Sequence, residues 1–128
     1  MNIAHVALWT RNLDAQVQFW ETVFGGHCNE RYLSNNRAGF ASHFMTLNDG
    51  PTIELMTVPQ LPDAPAYAEF VGWAHIAINV GSKGNVDKMA EQAKLNDTLL
   101  SPPRMTGDGF YEAVIADPDG NRIELVGA

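Results

Sequence analysis

The chain has a single cysteine, Cys28, among 128 residues. One thiol cannot close an internal disulfide, so the fold does not depend on an oxidising compartment. Cations are also scarce: eight Lys and Arg stand against fifteen Asp and Glu, a net charge of −7. Without a basic stripe to meet phosphates, nucleic acids and anionic membrane surfaces are excluded as expected partners. Long apolar runs are missing too. The richest stretch, Val71 to Val80, is ten residues long and carries His75 and Asn79, well short of the roughly 20 apolar residues a membrane span needs. Met1 to His5 shows no basic-then-apolar leader, and a cytoplasmic protein is expected. What is present is an ordinary globular balance, 45% apolar and 18% charged, which argues against disorder. The length suits one domain with a real core.

The sequence repeats itself. Ala4-His5-Val6-Ala7-Leu8 returns as Ala74-His75-Ile76-Ala77-Ile78, and Asp49-Gly50-Pro51-Thr52-Ile53-Glu54-Leu55 returns as Asp119-Gly120-Asn121-Arg122-Ile123-Glu124-Leu125. One shift of 70 residues aligns both histidines and both glutamates without a gap, which chance seldom produces. The expectation is a single domain, 1–128, of two modules, about 1–57 and 72–128, joined by a linker of about 58–71. Pro59, Pro62 and Pro65 keep its first part extended. Ala66 to Phe70 is expected to add one helical turn.

Each module reads as strand, helix and three strands. In the first, Ile3 to Trp9 is a strand, Asn12 an N-cap, and Val17, Trp20, Val23 and Phe24 an apolar helical stripe. Gly25-Gly26 stops the helix. Strands follow near 27–34, 39–47 and 52–57, the last two joined at Asn48-Asp49-Gly50. In the second, Trp73 to Val80 is a strand and Val86, Met89, Ala90 and Ala93 a weaker stripe. Thr98 to Ser101 is a short strand stopped by Pro102-Pro103. Tyr111–Ala116 and Arg122–Val126 form a hairpin around Asp117-Pro118-Asp119-Gly120. The fold class is α+β, with two tandem βαβββ modules.

Strand alternation then sorts the side chains. Val6 and Leu8, Ile76 and Ile78, Ile53 and Leu55, and Ile123 and Leu125 make aliphatic faces that must cover the helices. His5, Glu54, His75 and Glu124 therefore point the other way. Two carboxylates and two imidazoles facing one concavity need a compensating partner, because uncompensated buried charge is costly. A divalent metal such as nickel, cobalt, zinc or manganese accepts that donor set, one ion per site. The same residues can also be read as His–Glu pairs forming a polar core in a duplicated fold.

These motifs resemble the vicinal-oxygen-chelate superfamily, which holds lactoylglutathione lyase (glyoxalase I), fosfomycin-resistance enzymes, extradiol dioxygenases and bleomycin-resistance proteins. The resemblance is carried by His5-Val6-Ala7-Leu8, Phe19-Trp20-Glu21-Thr22-Val23-Phe24-Gly25-Gly26, Gly72-Trp73-Ala74-His75-Ile76-Ala77, and Gly107-Asp108-Gly109-Phe110-Tyr111 running to Asp117-Pro118-Asp119-Gly120-Asn121-Arg122-Ile123-Glu124-Leu125. It covers essentially the whole chain and implies that each module curls into half of an open barrel. It implies metal ligands at His5, Glu54, His75 and Glu124, with Glu54 or Glu124 moving a proton through an enediolate. It also implies a small-molecule substrate with adjacent oxygens and a homodimer. Lactoylglutathione lyases commonly place an arginine where Trp9 stands, so weak use of glutathione is expected here. The other activities of the superfamily, thiol transfer, ring-cleaving dioxygenation and metal-free sequestration of a ligand, are the alternatives. Four potential ligands count against each of them.

Candidate substrate contacts are Trp9, Phe44, Met56, Phe110 and Tyr111 as apolar lining, and Arg11, Arg37 and Arg104 as cations for an anionic tail. His27, His43 and Cys28 lack repeat partners of their own type and are read as structural.

Overall fold

The computed structural model describes residues 1–128 and divides into two compact units, Met1–Ala64 and Pro65–Ala128. The first contains β1 (His5–Trp9), α1 (Leu13–Phe24), β2 (His27–Cys28), β3 (Tyr32–Leu33), β4 (Ala41–Thr46) and β5 (Thr52–Thr57). The second contains β6 (Ile76–Gly81), α2 (Lys83–Leu95), β7 (Leu99–Met105), β8 (Tyr111–Ala116) and β9 (Arg122–Gly127). Each has one mixed sheet and one helix, so the chain is α+β. The second keeps the expected βαβββ order. In the first, the strand expected over 27–34 is two short pieces, each paired to β4.

The sheets share one plan. In the first the order is β1-β5-β4-β2, with β3 also on β4; in the second it is β6-β9-β8-β7. Module by module, the opening strand runs parallel to the last strand, and the last pairs antiparallel with the one before it. A parallel partner needs a crossover of a dozen or more residues, and here the helix supplies part of that path.

Helix α1 starts where its cap predicts: the Asn12 side chain accepts from Ala15 N at 3.0 Å. Gly25 ends it at φ 65°, a left-handed conformation that glycine adopts without a Cβ clash. Its buried residues are Leu13, Gln16 and Trp20, whereas Val23 lies exposed, so the buried stripe is rotated from the expected one. The cause is a polar pair: the Trp20 indole N–H donates to Gln16 Oε1 at 3.1 Å, which lets a glutamine replace an aliphatic residue in the core. Phe24 stacks on Trp20 with ring centroids 4.9 Å apart. In α2, Ser82 caps the first turn, and Val86, Ala90 and Ala93 are buried as the periodicity predicts.

Two other expectations are corrected. Residues 66–70 form no helical turn; five residues behind a proline cannot offset the cost of helix nucleation. Pro102 and Pro103 do not stop β7, which continues through them to Met105. β7 is the sheet edge, where missing N–H groups cost little. Its register slips on either side of Ser101, so the two residues between Ser101 and Arg104 face the single residue between Val114 and Glu112.

The final hairpin is knotted by Asp117. Its Oδ1 accepts from Asp119 N at 2.9 Å and Asn121 N at 2.8 Å, and its Oδ2 accepts from the Asn121 side chain at 2.8 Å. This turn fixes the register that places Glu124 opposite Val114.

Close packing of β9 against the start of α2 yields a stability prediction. A Cβ on Gly127 would lie 2.4 Å from Ser82 O and 2.8 Å from Lys83 N, both backbone atoms. Gly127→Ala must push the strand end from the helix cap, at about 1–3 kcal/mol. The melting temperature should fall by roughly 3–15 °C, measured by calorimetry. Gly25→Ala provides a contrast, because a Cβ there meets nothing within 4 Å and carries only the strain of its positive φ.

Candidate metal centre

The helix in each unit covers only one face of its sheet. In the first unit the covered face carries Ile53, Leu55 and Met45, all nearly inaccessible. The other face carries the opposite parity, and there Ala7 pairs with Glu54, and Glu54 with Phe44. His5, two residues before Ala7, shares that side. Its Nε2 lies 3.7 Å from Glu54 Oε2. The Phe44 ring stands edge-on to the imidazole, centroids 5.6 Å apart, and forms a wall beside it.

The second unit repeats the arrangement. Ile123, Leu125, Ala113 and Ile115 are buried on the helix side. On the other side, His75 Nε2 lies 3.4 Å from Glu124 Oε2. In both pairs the imidazole is nearly half exposed, at 45% and 42%, and the carboxylate largely shielded, at 17% and 16%. The histidines can be reached from solvent, while the glutamates are held by the sheet.

These separations bear on what the pairs can hold. A direct charge-assisted hydrogen bond draws N and O to about 2.7–2.9 Å. Two donors that each bind one cation at about 2.0–2.2 Å, at tetrahedral or octahedral angles, sit roughly 3–3.5 Å apart. The pairs at 3.4 and 3.7 Å are near that second spacing, and their donor types, imidazole nitrogen and carboxylate oxygen, suit a borderline divalent ion. No three His, Cys, Asp or Glu side chains converge as a metal-binding group, so each His–Glu pair stands as a pair.

One carboxyl beside Glu124 escaped the sequence reading. Glu112 is only 8% exposed, lies on the Glu124 side of β8, and hydrogen-bonds Glu124. Burial first, and then the neighbouring Glu124 charge, push its pKa above the usual carboxylate value, against the opposing pull of Arg104. A carboxylate between Tyr111 and the apolar run Ala113-Val114-Ile115-Ala116 was the available signal. The repeat hid it, because the residue 70 positions earlier is Ser42.

The candidate substrate contacts scatter. Trp9, Met56 and Phe44 lie on the His5–Glu54 side of the first sheet. Trp9 packs edge-on against Phe40, and the Arg37 guanidinium lies 5.5 Å from the Trp9 ring. Arg11 is tied to the linker instead: its Nε donates to Leu61 O at 3.0 Å and its Nη1 pairs with Asp63 at 2.5 Å. Arg104 is held by Ser101 Oγ at 2.6 Å and Glu112 at 3.3 Å. Tyr111 faces the helix, donating its hydroxyl to Asp87 of α2 at 2.6 Å, away from Glu124. Phe110 is exposed in the preceding turn.

A cavity of about 210 Å³ adjoins His75, lined by Phe70, Trp73 and Arg122 among others. A larger groove of about 630 Å³ between α2 and β7 contains neither His75 nor Glu124. The residues read as structural behave so. His43 contacts Asn29 O at 2.8 Å through Nδ1, and His27 pairs with Thr46 in a short strand. Cys28, half-buried beside Glu21, has its thiol pushed up to about 11 by burial and then by that carboxylate, so it stays protonated and unreactive near neutral pH.

With this geometry, comparison with known proteins is informative. A glyoxylase/bleomycin resistance protein/dioxygenase domain from Frankia aligns over 100% of this chain and 92% of its own, at 16% identity and a TM-score of 0.84. The trypanothione-dependent glyoxalase I of Leishmania major aligns over 99% and 86%, at 21% identity and 0.74. A lactoylglutathione lyase from Agrobacterium tumefaciens aligns over 99% and 93%, at 22% identity and 0.68. At such identities these similarities establish the fold alone. No curated protein matches the sequence. The family model for the Glyoxalase/Bleomycin resistance protein/Dioxygenase superfamily, however, matches residues 2–125. Nearly the whole length is thus accounted for by one family, and the chain belongs to the glyoxalase/bleomycin resistance protein/dioxygenase superfamily.

Proposed function

We propose that the protein is a divalent-metal-dependent lyase or isomerase of the glyoxalase I type. The substrate is a small molecule with adjacent oxygens, and the working form is a homodimer. The observation that supports this reading is the repeated His–Glu pair, His5 with Glu54 and His75 with Glu124, at 3.7 and 3.4 Å. The superfamily includes enzymes such as glyoxalase I, and its members commonly use divalent metals.

His5, Glu54, His75 and Glu124 are the residues that would hold the ion, nickel, cobalt, zinc or manganese. When bound, a divalent cation stabilises an oxyanion developing on the substrate and acidifies the neighbouring C–H. The remaining work falls to the chain. The imidazoles bind through nitrogen in their neutral form. Glu54 or Glu124 accepts the proton from the carbon beside the carbonyl, giving an enediolate, and returns it to the adjacent carbon. The net change is an isomerisation, so no oxidant or reductant is needed. The Phe44 ring shields one side of the His5 imidazole.

Metal binding and turnover test the reading. His75→Ala should lower metal affinity by at least about tenfold and shrink the metal-dependent rise in melting temperature, because binding confined to the native state adds to its stability. Glu54→Gln and Glu124→Gln should keep weak metal binding, since an amide oxygen still coordinates, but at least one should lose turnover. Isothermal titration with nickel and cobalt, together with initial rates, checks both. Unchanged metal affinity in His75→Ala rules out that ligand, and unchanged turnover in both glutamine variants rules out a glutamate base.

The preferred substrate should not be the glutathione hemithioacetal of methylglyoxal. Trp9 offers no cation at the end of β1, Arg11 is tied to Leu61 and Asp63, and the chain is already at −7. With metal restored, kcat/KM for that hemithioacetal should fall below roughly 10⁴ M⁻¹s⁻¹, the lower edge of ordinary enzymatic values. A value above that range shows that glutathione is accommodated by another residue, with Arg37 the first to substitute.

A further inference from the structure

The two modules match at their His–Glu pairs but differ in the residue beside each histidine. His5 pairs with Thr52 in the first sheet, and the residue 70 positions after Thr52 is Arg122. In the parallel ladder of the second sheet Ile76 pairs with Ile123, so His75, one residue earlier, stands beside Arg122. Arg122 and Glu124 share one parity of β9, opposite the buried Ile123 and Leu125. A neutral hydroxyl in the first module is thus a guanidinium in the second, on the same side of the sheet as the His75–Glu124 pair.

That guanidinium has no partner in the chain. The arginines that form ion pairs and donate side-chain hydrogen bonds are Arg11 and Arg104. The cations that lie over aromatic rings are Arg37 and Lys83. Arg122 is half-buried all the same, in the wall of the 210 Å³ cavity that His75 also lines. Five N–H donors in a planar fork, matched in shape to a carboxylate, therefore face this cavity unused. Glu69 borders it too, exposed and not paired with Arg122.

The rest of the lining is apolar. Trp73 and Phe70 border the cavity at 92% and 52% exposure, large aromatic surfaces that nothing in the chain covers. Gly72 lets the Phe70 ring fold close to the backbone, since a Cβ there would lie 3.1 Å from Phe70 Cε2. The volume is below the roughly 300–1,000 Å³ of pockets for drug-sized ligands, so the occupant is small.

We propose that this cavity is a subsite for a small carboxylate with an apolar body: Arg122 clamps the carboxylate, and the Phe70 and Trp73 rings cover the remainder. The inference names the substrate class for the lyase or isomerase reading given above, and rests on that reading for the reaction but not for binding. Glu124 is two residues from Arg122, about 6.6 Å along the strand. A carboxylate held at Arg122 leaves carbons a few bonds away within reach of the Glu124 carboxylate.

The test uses phenylacetate and its uncharged counterpart phenylacetamide, titrated by NMR into the isotopically labelled, chelator-treated protein. Wild type should bind phenylacetate at least about tenfold more tightly than the amide, with shifts at the Trp73 indole. Arg122→Met should weaken phenylacetate binding about 10–100-fold, the worth of charge-assisted hydrogen bonds, and leave phenylacetamide within a few-fold. Arg122→Lys, which keeps the charge and loses the fork, should fall between the two, and it decides the question if the methionine variant does not fold. Equal affinity of wild type for acid and amide, or no binding of either, overturns the subsite. So does phenylacetate affinity that stays at the wild-type value in Arg122→Met and Arg122→Lys. Nickel titration of the same wild-type sample reports separately on the metal reading: absence of nickel binding overturns that reading, while selective phenylacetate binding through Arg122 still supports the carboxylate subsite.

Discussion

The structure depends on the covering of one sheet face and not the other. A β-strand sends alternate side chains to opposite sides, and each module has a single helix to cover one of them. The helix side takes Ile53, Leu55, Ile123 and Leu125, each 2% exposed or less. Residues one position away, Glu54 and Glu124, are thereby sent to the uncovered side. A one-residue slip would exchange the aliphatic and acidic sets, so the apolar core and the candidate site hold each other in register.

That constraint explains how few side chains the site uses. Parallel pairing of the first and last strand of each module sets the histidine strand beside the glutamate strand. Ala7 and Ala77 sit directly against the glutamates, and their small side chains leave room for the neighbouring imidazoles to reach the carboxylates. The repeat then needs only one rule, His before an alternating apolar strand and Glu inside another, applied twice. The turn around Asp117 and the cap at Asn12 hold the ends of these strands in place without entering the site.

The departures from symmetry occur where the two modules take different neighbours. Tyr111 and Glu112 are adjacent, yet alternation sends one to Asp87 on the helix and the other to Glu124. Arg11 and Arg104 both looked free in sequence. One is tied to the linker and the other to a buried acid. Arg37 leans on Trp9 and Phe40, within the same unit as the His5–Glu54 pair. The cations are therefore distributed by local hydrogen bonding and aromatic packing, with no common pattern that spacing along the chain would reveal.

The sequence alone determined the duplication, the two helices, the strands bearing His5 and the two glutamates, and the faces of those strands; the strand expected over Trp73–Val80 begins only at Ile76, just after His75. What it determined follows from periodicity, which is local, and from a shift of 70 residues, which needs no structure to observe. The tertiary structure decided what depends on partners distant in the chain. Gln16 is buried because Trp20 satisfies it, a relation that an apolar-stripe reading passes over. Pro102 and Pro103 lie within a strand because that strand is an edge, and edge position is a property of the sheet. Glu112 reaches Glu124 only because β8 and β9 pair in one register, and Arg104 reaches Glu112 only because β7 bulges. Spacing shows which residues share a face; only strand pairing shows which of them touch.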